Sequence, residues 1–225
     1  VFSPEVLLQL KKEYPEAEIK VESSDIRIFT DEQYSNLGID VSNDMTDCDV
    51  LFGVKEVPIE NLIPNKKYFF FSHTIKKQPY NRKLLQAILE KNIEFYDHET
   101  IVDANFNRLI GFGKYAGIVG TYNAFRAFGI KFGLFTIPKA ETLSGKDELV
   151  TKLKRQVLPP IKIVLTGCGK VGNGAKEILD AIKIKEVSVE NYLSKKYTEP
   201  VYVQIDVLDY NKRIDGKVIE KNDFY

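Results

Sequence analysis

The sequence has 225 residues, 44% of them hydrophobic and 28% charged, which is the balance of an ordinary globular protein with room for one large domain or two small ones. Lys+Arg and Asp+Glu both total 32, and a formal net charge of zero offers no global field to nucleic acid or to an anionic membrane. The apolar runs are far too short to span a bilayer, and two cysteines, Cys48 and Cys168, supply neither a disulfide framework nor a four-thiolate zinc site, a usage that suits a reducing cytoplasm.

Taken in order, Ser3 caps a helix with Pro4 at its first position, running through Val6, Leu7 and Leu10 to about Tyr14. Residues 18–22 alternate as a short strand, and residues 30–38 read as a compact helix with a Thr cap and a Gly stop. Residues 49–54 form a buried strand ending at Lys55-Glu56, and residues 67–71 another ending at Ser72-His73. Residues 81–91 are an amphipathic helix, and residues 93–96 a strand ending at Asp97-His98-Glu99. Residues 109–112 read as a further short strand. Residues 115–128 form a helix rich in Gly and Ala, suited to close packing between domains. A polar stretch with a helix over residues 146–156 and the pair Pro159-Pro160 leads to the next unit.

That unit opens on a short apolar strand, residues 161–165, that runs into Gly167-Cys-Gly169-Lys-Val-Gly172 and then into a helix. This is the strand–turn–helix opening of a dinucleotide-binding βαβ unit. Gly167 permits the tight turn, Gly169 lets the backbone approach a pyrophosphate, and Gly172 lets helix and strand pack closely. Lys170 and Val171 start the helix, whose free N–H groups and positive dipole end face the phosphates. A second strand over residues 186–189 ends at Glu190, 18 positions past Gly172, near where an acid holds the ribose 2′-OH of NAD; NADP remains admissible. Residues 201–206 are a third strand. The alternation of strands and helices predicts an α/β protein: two Rossmann-like parallel-sheet domains with a cleft between them, the second incomplete. The division expected is residues 1–118 for a catalytic and substrate domain and 119–225 for the nucleotide domain, in a portion of a longer protein.

In a parallel sheet ligands collect at the carboxyl ends of the strands. Lys55-Glu56, His73 and His98-Glu99 lie at three such ends. A partly desolvated lysine serves as a base, and a strand-end histidine is the readiest general acid near neutral pH. Glu56 and Glu99 would hold the two cations. By spacing alone a solvated rim pair is the commoner account of Lys55-Glu56, and a satisfied buried histidine accounts equally for His73.

Five stretches are more specific: Gly53-Val-Lys-Glu-Val-Pro58, Phe70-Phe-Ser-His-Thr-Ile-Lys76, Tyr96-Asp-His-Glu99, Gly111-Phe-Gly-Lys-Tyr-Ala-Gly117 and the glycine loop. Together they resemble the alanine dehydrogenase/pyridine nucleotide transhydrogenase superfamily, on the side of saccharopine dehydrogenase (lysine-forming) and lysine–ketoglutarate reductase. The resemblance implies an NAD(P)-linked enzyme converting saccharopine and water to lysine and 2-oxoglutarate, or the reverse. It implies Lys55 as base toward the substrate amine and His73 as the acid–base group at the carbonyl carbon. Glu56, Lys76 and Glu99 then tune and position these groups. An alanine dehydrogenase, an opine-type synthase and a non-catalytic nucleotide-binding domain are the alternatives. A small amino acid or 2-oxo acid is the expected partner, with neither nucleic acid nor membrane, and a homo-oligomer is compatible with the sequence.

Overall fold

The computed structural model describes residues 1–221 and divides into two units, Val1–Gly111 and a second from Phe112 onward. In the first unit, helix α1 (Pro4–Glu13) starts at Ser3, whose hydroxyl accepts the Val6 N–H at 3.4 Å. Strand β1 (Lys20–Glu22) pairs in parallel with β2 (Asp40–Ser42), with helix α2 (Asp31–Ser35) between them in sequence. Thr30 and Gln33 form a reciprocal capping box at α2, and Gly38 ends that segment at φ 71°. Leu7, Tyr34 and Ile39 are the buried centre of this layer.

The second sheet of this unit holds the three strand ends singled out in the sequence. Strands β3 (Val50–Phe52), β4 (Lys67–Phe70) and β5 (Glu94–Asp97) are all parallel, in the order β3-β4-β5. Helix α3 (Arg82–Glu90) precedes β5 and lays Leu84, Ala87 and Ile88, spaced i, i+3 and i+4, on Tyr68 and Phe70 of the central strand. On the opposite sheet face Phe69 stacks between Phe52 and Tyr96, with centroids 4.6 and 4.5 Å apart. The strand expected at residues 109–112 does not form. Asp103 closes a turn by accepting the N–H groups of Asn105 and Asn107, both at 2.8 Å. The chain then returns as an isolated antiparallel bridge between Val102 and Arg108.

The second unit begins with α4 (Gly113–Lys131) and α5 (Lys146–Lys154), then β6 (Lys162–Thr166), α6 (Lys170–Ala181), β7 (Lys185–Glu186), α7 (Val189–Ser194), β8 (Val201–Ile205) and α8 (Val207–Tyr210). Its parallel sheet has the order β6-β8-β7. Ile118, Tyr122 and Phe125 of α4, Leu149 and Leu153 of α5, Ile178 and Leu179 of α6 and Tyr202 of β8 make one core. The small residues of α4 serve packing inside this unit, where Gly117 lies against Val171 and Ala175 of α6 and Gly174 lies against Lys114 of α4. The strand expected over residues 186–189 stops at Glu186. Ser188 turns extended, caps α7 through the Asn191 N–H at 3.2 Å, and draws residues 189–194 into helix. A polar clamp ties the sheet to α6: the buried Tyr202 hydroxyl donates to Asp180 and accepts from Lys176, which also meets Glu186. Burial first, and the Asp180 hydrogen bond second, push the Tyr202 phenol up to about 12.

Candidate functional site

Backbone bonds carry the β3-β4-β5 ladder past the regular strands. Gly53 N–H donates to Phe69 O at 2.8 Å, Phe71 N–H to Val54 O at 3.2 Å and His98 N–H to Phe70 O at 3.1 Å. Because all three strands are parallel, Lys55, His73 and Glu99 leave the sheet along the same carboxyl edge.

His73 is held in the left-handed region, φ 57° and ψ 11°, which costs a non-glycine residue about 1 kcal/mol or more. Its carbonyl accepts the Asn81 side-chain amide and the Lys76 N–H, each at 3.1 Å. Before it, Ser72 is fully buried and donates its hydroxyl to Asp97. The Asp97 carboxylate also accepts the Ser72 N–H at 3.4 Å and the Glu99 N–H at 2.9 Å. One buried carboxylate therefore joins the turn that carries His73 to the turn that carries Glu99.

Glu99 is the hub, its side chain only 2% exposed. His73 Nδ1 lies 3.1 Å from one carboxylate oxygen; Arg108 at 2.7 Å and Lys76 Nζ at 3.4 Å meet the other. Lys76 Nζ also lies 3.3 Å from His73 Nδ1. With Glu99 ionised, the consistent assignment places the ring proton on Nδ1, donating a hydrogen bond to Glu99, and leaves Nε2 as an acceptor. Burial pushes the Glu99 carboxyl up, but the hydrogen bonds of His73, Lys76 and Arg108 together with the Lys76 charge outweigh it, so the group titrates below its usual range. His98 points elsewhere. It is buried edge-on against Phe71, with centroids 5.2 Å apart, and burial lowers its pKa against the opposing pull of Asp97.

The structure thus brings together His73, Lys76 and Glu99 of the residues expected from sequence. Lys55 and Glu56 stand exposed at the end of β3, and no hydrogen bond or ion pair holds their side chains among the described residues. Three members were not foreseen. Arg108 arrives through the Asp103 turn, which no periodicity reveals; Ser72 and Asp97 were visible as polar residues at strand ends, but not as a brace.

In the second unit the glycine loop is built as its sequence suggested. Gly167 has φ 92°, its N–H donates to Ile205 O at 2.7 Å, and Gln204 Nε2 donates to its carbonyl at 2.9 Å. A Cβ on Gly172 would lie 2.1 Å from Gly167 O, so only glycine permits the loop to close on α6. A Cβ on Gly169 would meet nothing within 4 Å and no side chain caps α6, while Lys170 and Val171 of its first turn pack against Gly113. An uncapped helix start behind a glycine turn, with room at Gly169, fits the pyrophosphate of a dinucleotide. Glu190 lies in the first turn of α7, beyond β7 at the sheet edge.

Residues 2–119 match the family described as alanine dehydrogenase/PNT, N-terminal domain. The chain belongs to that family. Among curated relatives, alpha-aminoadipic semialdehyde synthase of Arabidopsis thaliana is 30% identical over 92% of this chain and 23% of its own length. The mitochondrial protein of the same name from Bos taurus is 31% identical over 80% of this chain and 22% of its own length. Saccharopine dehydrogenase [NAD(+), L-lysine-forming] of Yarrowia lipolytica is 27% identical over 76% of this chain and 51% of its own length. The chain thus spans about a quarter to a half of the relatives it matches. A solved structure of L-alanine dehydrogenase superposes with a TM-score of 0.59 at 17% identity, covering 91% of this chain and 56% of that one, which shows a shared fold. These relationships make the chain a relative of oxidoreductases that work with a nicotinamide cofactor. No helix among the described residues is long and apolar enough to cross a membrane.

Proposed function

We propose that this chain carries the catalytic residues and part of the dinucleotide site of an NAD-linked amino acid dehydrogenase acting on a secondary amine. The reaction is saccharopine, NAD+ and water to lysine, 2-oxoglutarate, NADH and a proton, or its reverse. The observation that carries the reading is the Glu99 hub, which fixes a histidine at the carboxyl edge of a parallel sheet with Nε2 left for proton transfer. The relatives named for saccharopine and aminoadipic semialdehyde chemistry support the choice of substrate.

A bound nicotinamide supplies hydride transfer at the substrate α-carbon. The chain's own groups do the proton work. Lys55, exposed at the end of β3, takes the proton from the substrate amine. His73 gives and takes protons as water adds to the resulting imine carbon and the carbinolamine collapses. Glu99 holds the imidazole and balances its charge as it protonates; Lys76 and Arg108 keep Glu99 ionised. Glu56 lies beside Lys55 on the rim.

The test is NADH oxidation by the full-length protein supplied with lysine and 2-oxoglutarate, beside the Lys55→Met variant. Turnover that falls at least a hundredfold in the variant, with NADH binding retained, is expected. Turnover with pyruvate and ammonia but none with lysine would move the reading to alanine dehydrogenase, and near-normal turnover of Lys55→Met would remove Lys55 from the mechanism.

A further inference from the structure

His73 stands in a segment that passes twice through the left-handed region without a glycine. His73 precedes the single helical turn Thr74–Lys76 and Lys77 follows it, with φ 57° and 53°. Strain of this kind persists where neighbouring contacts over-determine the backbone. Here those contacts converge on Ser72. Its hydroxyl oxygen accepts the Thr74 N–H at 3.1 Å, closing a ring across the His73 backbone, and lies 2.7 Å from the Thr74 hydroxyl. Ser72 is fully buried, and its own hydroxyl proton goes to Asp97. The Asn81 amide and the Lys76 N–H also hold the His73 carbonyl, but neither bond reaches β5.

Asp97 completes a circuit. One of its oxygens takes the Ser72 hydroxyl, and the other takes the Ser72 N–H at 3.4 Å and the Glu99 N–H at 2.9 Å. The Glu99 carboxylate in turn meets His73 Nδ1 at 3.1 Å. The path Asp97–Ser72–His73–Glu99 therefore returns to Asp97. His73 and Glu99 follow neighbouring strands and stand 26 positions apart in the chain, so their separation depends on bonds between the two turns. Asp97 is buried, which leaves little room for water to replace its partners. Its bonds go to groups on either side of the imidazole and not to the ring, so its influence on proton transfer runs through the placing of His73.

We infer that Asp97 is a positioning residue for proton transfer: acting through Ser72, it holds the left-handed backbone of His73 against Glu99 and so fixes where Nε2 points. The inference rests on the proton-transfer role proposed for His73 above. Its loss should appear in kcat and not in substrate affinity, because a displaced base loses alignment, and a displacement of about 1 Å can cost about a hundredfold. Asparagine can take over most of the task. Its carbonyl oxygen can accept both N–H groups, and its amide can donate to Ser72, whose own proton then turns to the Thr74 hydroxyl 2.7 Å away. Alanine can do neither.

The experiment measures kcat and KM for NADH oxidation with lysine and 2-oxoglutarate in the full-length protein. Asp97→Ala, Asp97→Asn and Ser72→Ala are each made alone and together with His73→Asn, and rates are taken at a temperature where circular dichroism shows each variant folded. Turnover should fall by about a hundredfold in Asp97→Ala and about tenfold in Ser72→Ala, which keeps the two N–H bonds to Asp97, but less than about threefold in Asp97→Asn. KM for lysine should stay within about twofold throughout. In the His73→Asn background the same changes should alter the residual turnover by less than about twofold, since the group they place is gone. Equal losses in both backgrounds would mean a merely structural role and overturn the inference. So would an unchanged kcat in Ser72→Ala, the variant that decides the matter if Asp97→Ala does not fold. A wild type without turnover, or His73→Asn as active as wild type, would overturn the proton-transfer reading itself and the role of Asp97 with it.

Discussion

Helix α4 carries two glycines one turn apart whose replacement by alanine should change stability in opposite directions. A Cβ on Gly117 would stand 2.0 Å from the Val171 carbonyl oxygen and 2.7 Å from the Ala175 nitrogen, both backbone atoms of α6. Ordinary carbon–oxygen contact needs about 3.3 Å, so α4 and α6 would have to part by more than about 1 Å along the seam between Ile118, Tyr122 and Ile178. Alanine gains about 1 kcal/mol over glycine in helix propensity. Overpacking of a filled core costs about 1–3 kcal/mol, and backbone atoms cannot rotate aside as a side-chain tip would, which places this case at the upper end. Gly117→Ala should therefore lose about 2 kcal/mol net. At Gly120 a Cβ meets nothing within 4 Å, so Gly120→Ala should gain about 0.5–1 kcal/mol from propensity alone. Urea unfolding followed by far-ultraviolet circular dichroism compares both variants with wild type at equal slope. Equal or higher stability for Gly117→Ala, or a loss for Gly120→Ala, would refute the packing assigned to this helix pair.

Glu99→Gln should destabilise the first unit by about 1–3 kcal/mol, since the buried carboxylate is held by Lys76, Arg108 and the His73 ring. The loss stays below that of a fully buried pair because Lys76 and Arg108, about half exposed, regain water; an unfolding midpoint equal to wild type at pH 7 would contradict it. The acid limb should have two parts. His98 has a lowered folded pKa, so it binds protons more readily unfolded; its contribution is complete above about pH 6.5 and fades as pH falls below that value. Glu99, also lowered, contributes fully above the ordinary carboxylate range and loses its contribution as pH falls through its folded value. His98→Phe should remove the first part and Glu99→Gln the second. A single acid transition unchanged in both variants would show that these groups do not govern it.

Where local chemistry decides the structure, the sequence was readable. Ser3 before Pro4, the Thr cap at residue 30 and the amphipathic helix within residues 81–91 each lie within one element, and each formed. The glycine loop was readable for the same reason, since Gly167 and Gly172 answer to a turn and a contact a few residues apart. Alternation misled at residues 186–189, because Ser188 competes as a helix cap and β7 has only the edge of β8 to pair with. Sheet order was not readable at all: that β8 takes the place beside β6 depends on pairing between segments far apart in the chain. The Glu99 hub was half readable. His73 and Glu99 stand at strand ends, whereas Arg108 reaches the same carboxylate through the Asp103 turn.

The β6-β8-β7 order also bears on how the second unit assembles and how it tolerates change. Strand β7 has no partner until β8 has crossed the intervening segment to pair with β6, so it should add late and be first to exchange its amide protons. A segment that folds last and lies at an edge is one that insertion and deletion can reshape. The stretch from β7 through α7 can therefore vary in length while Thr166, Ile205 and the loop they anchor stay in register.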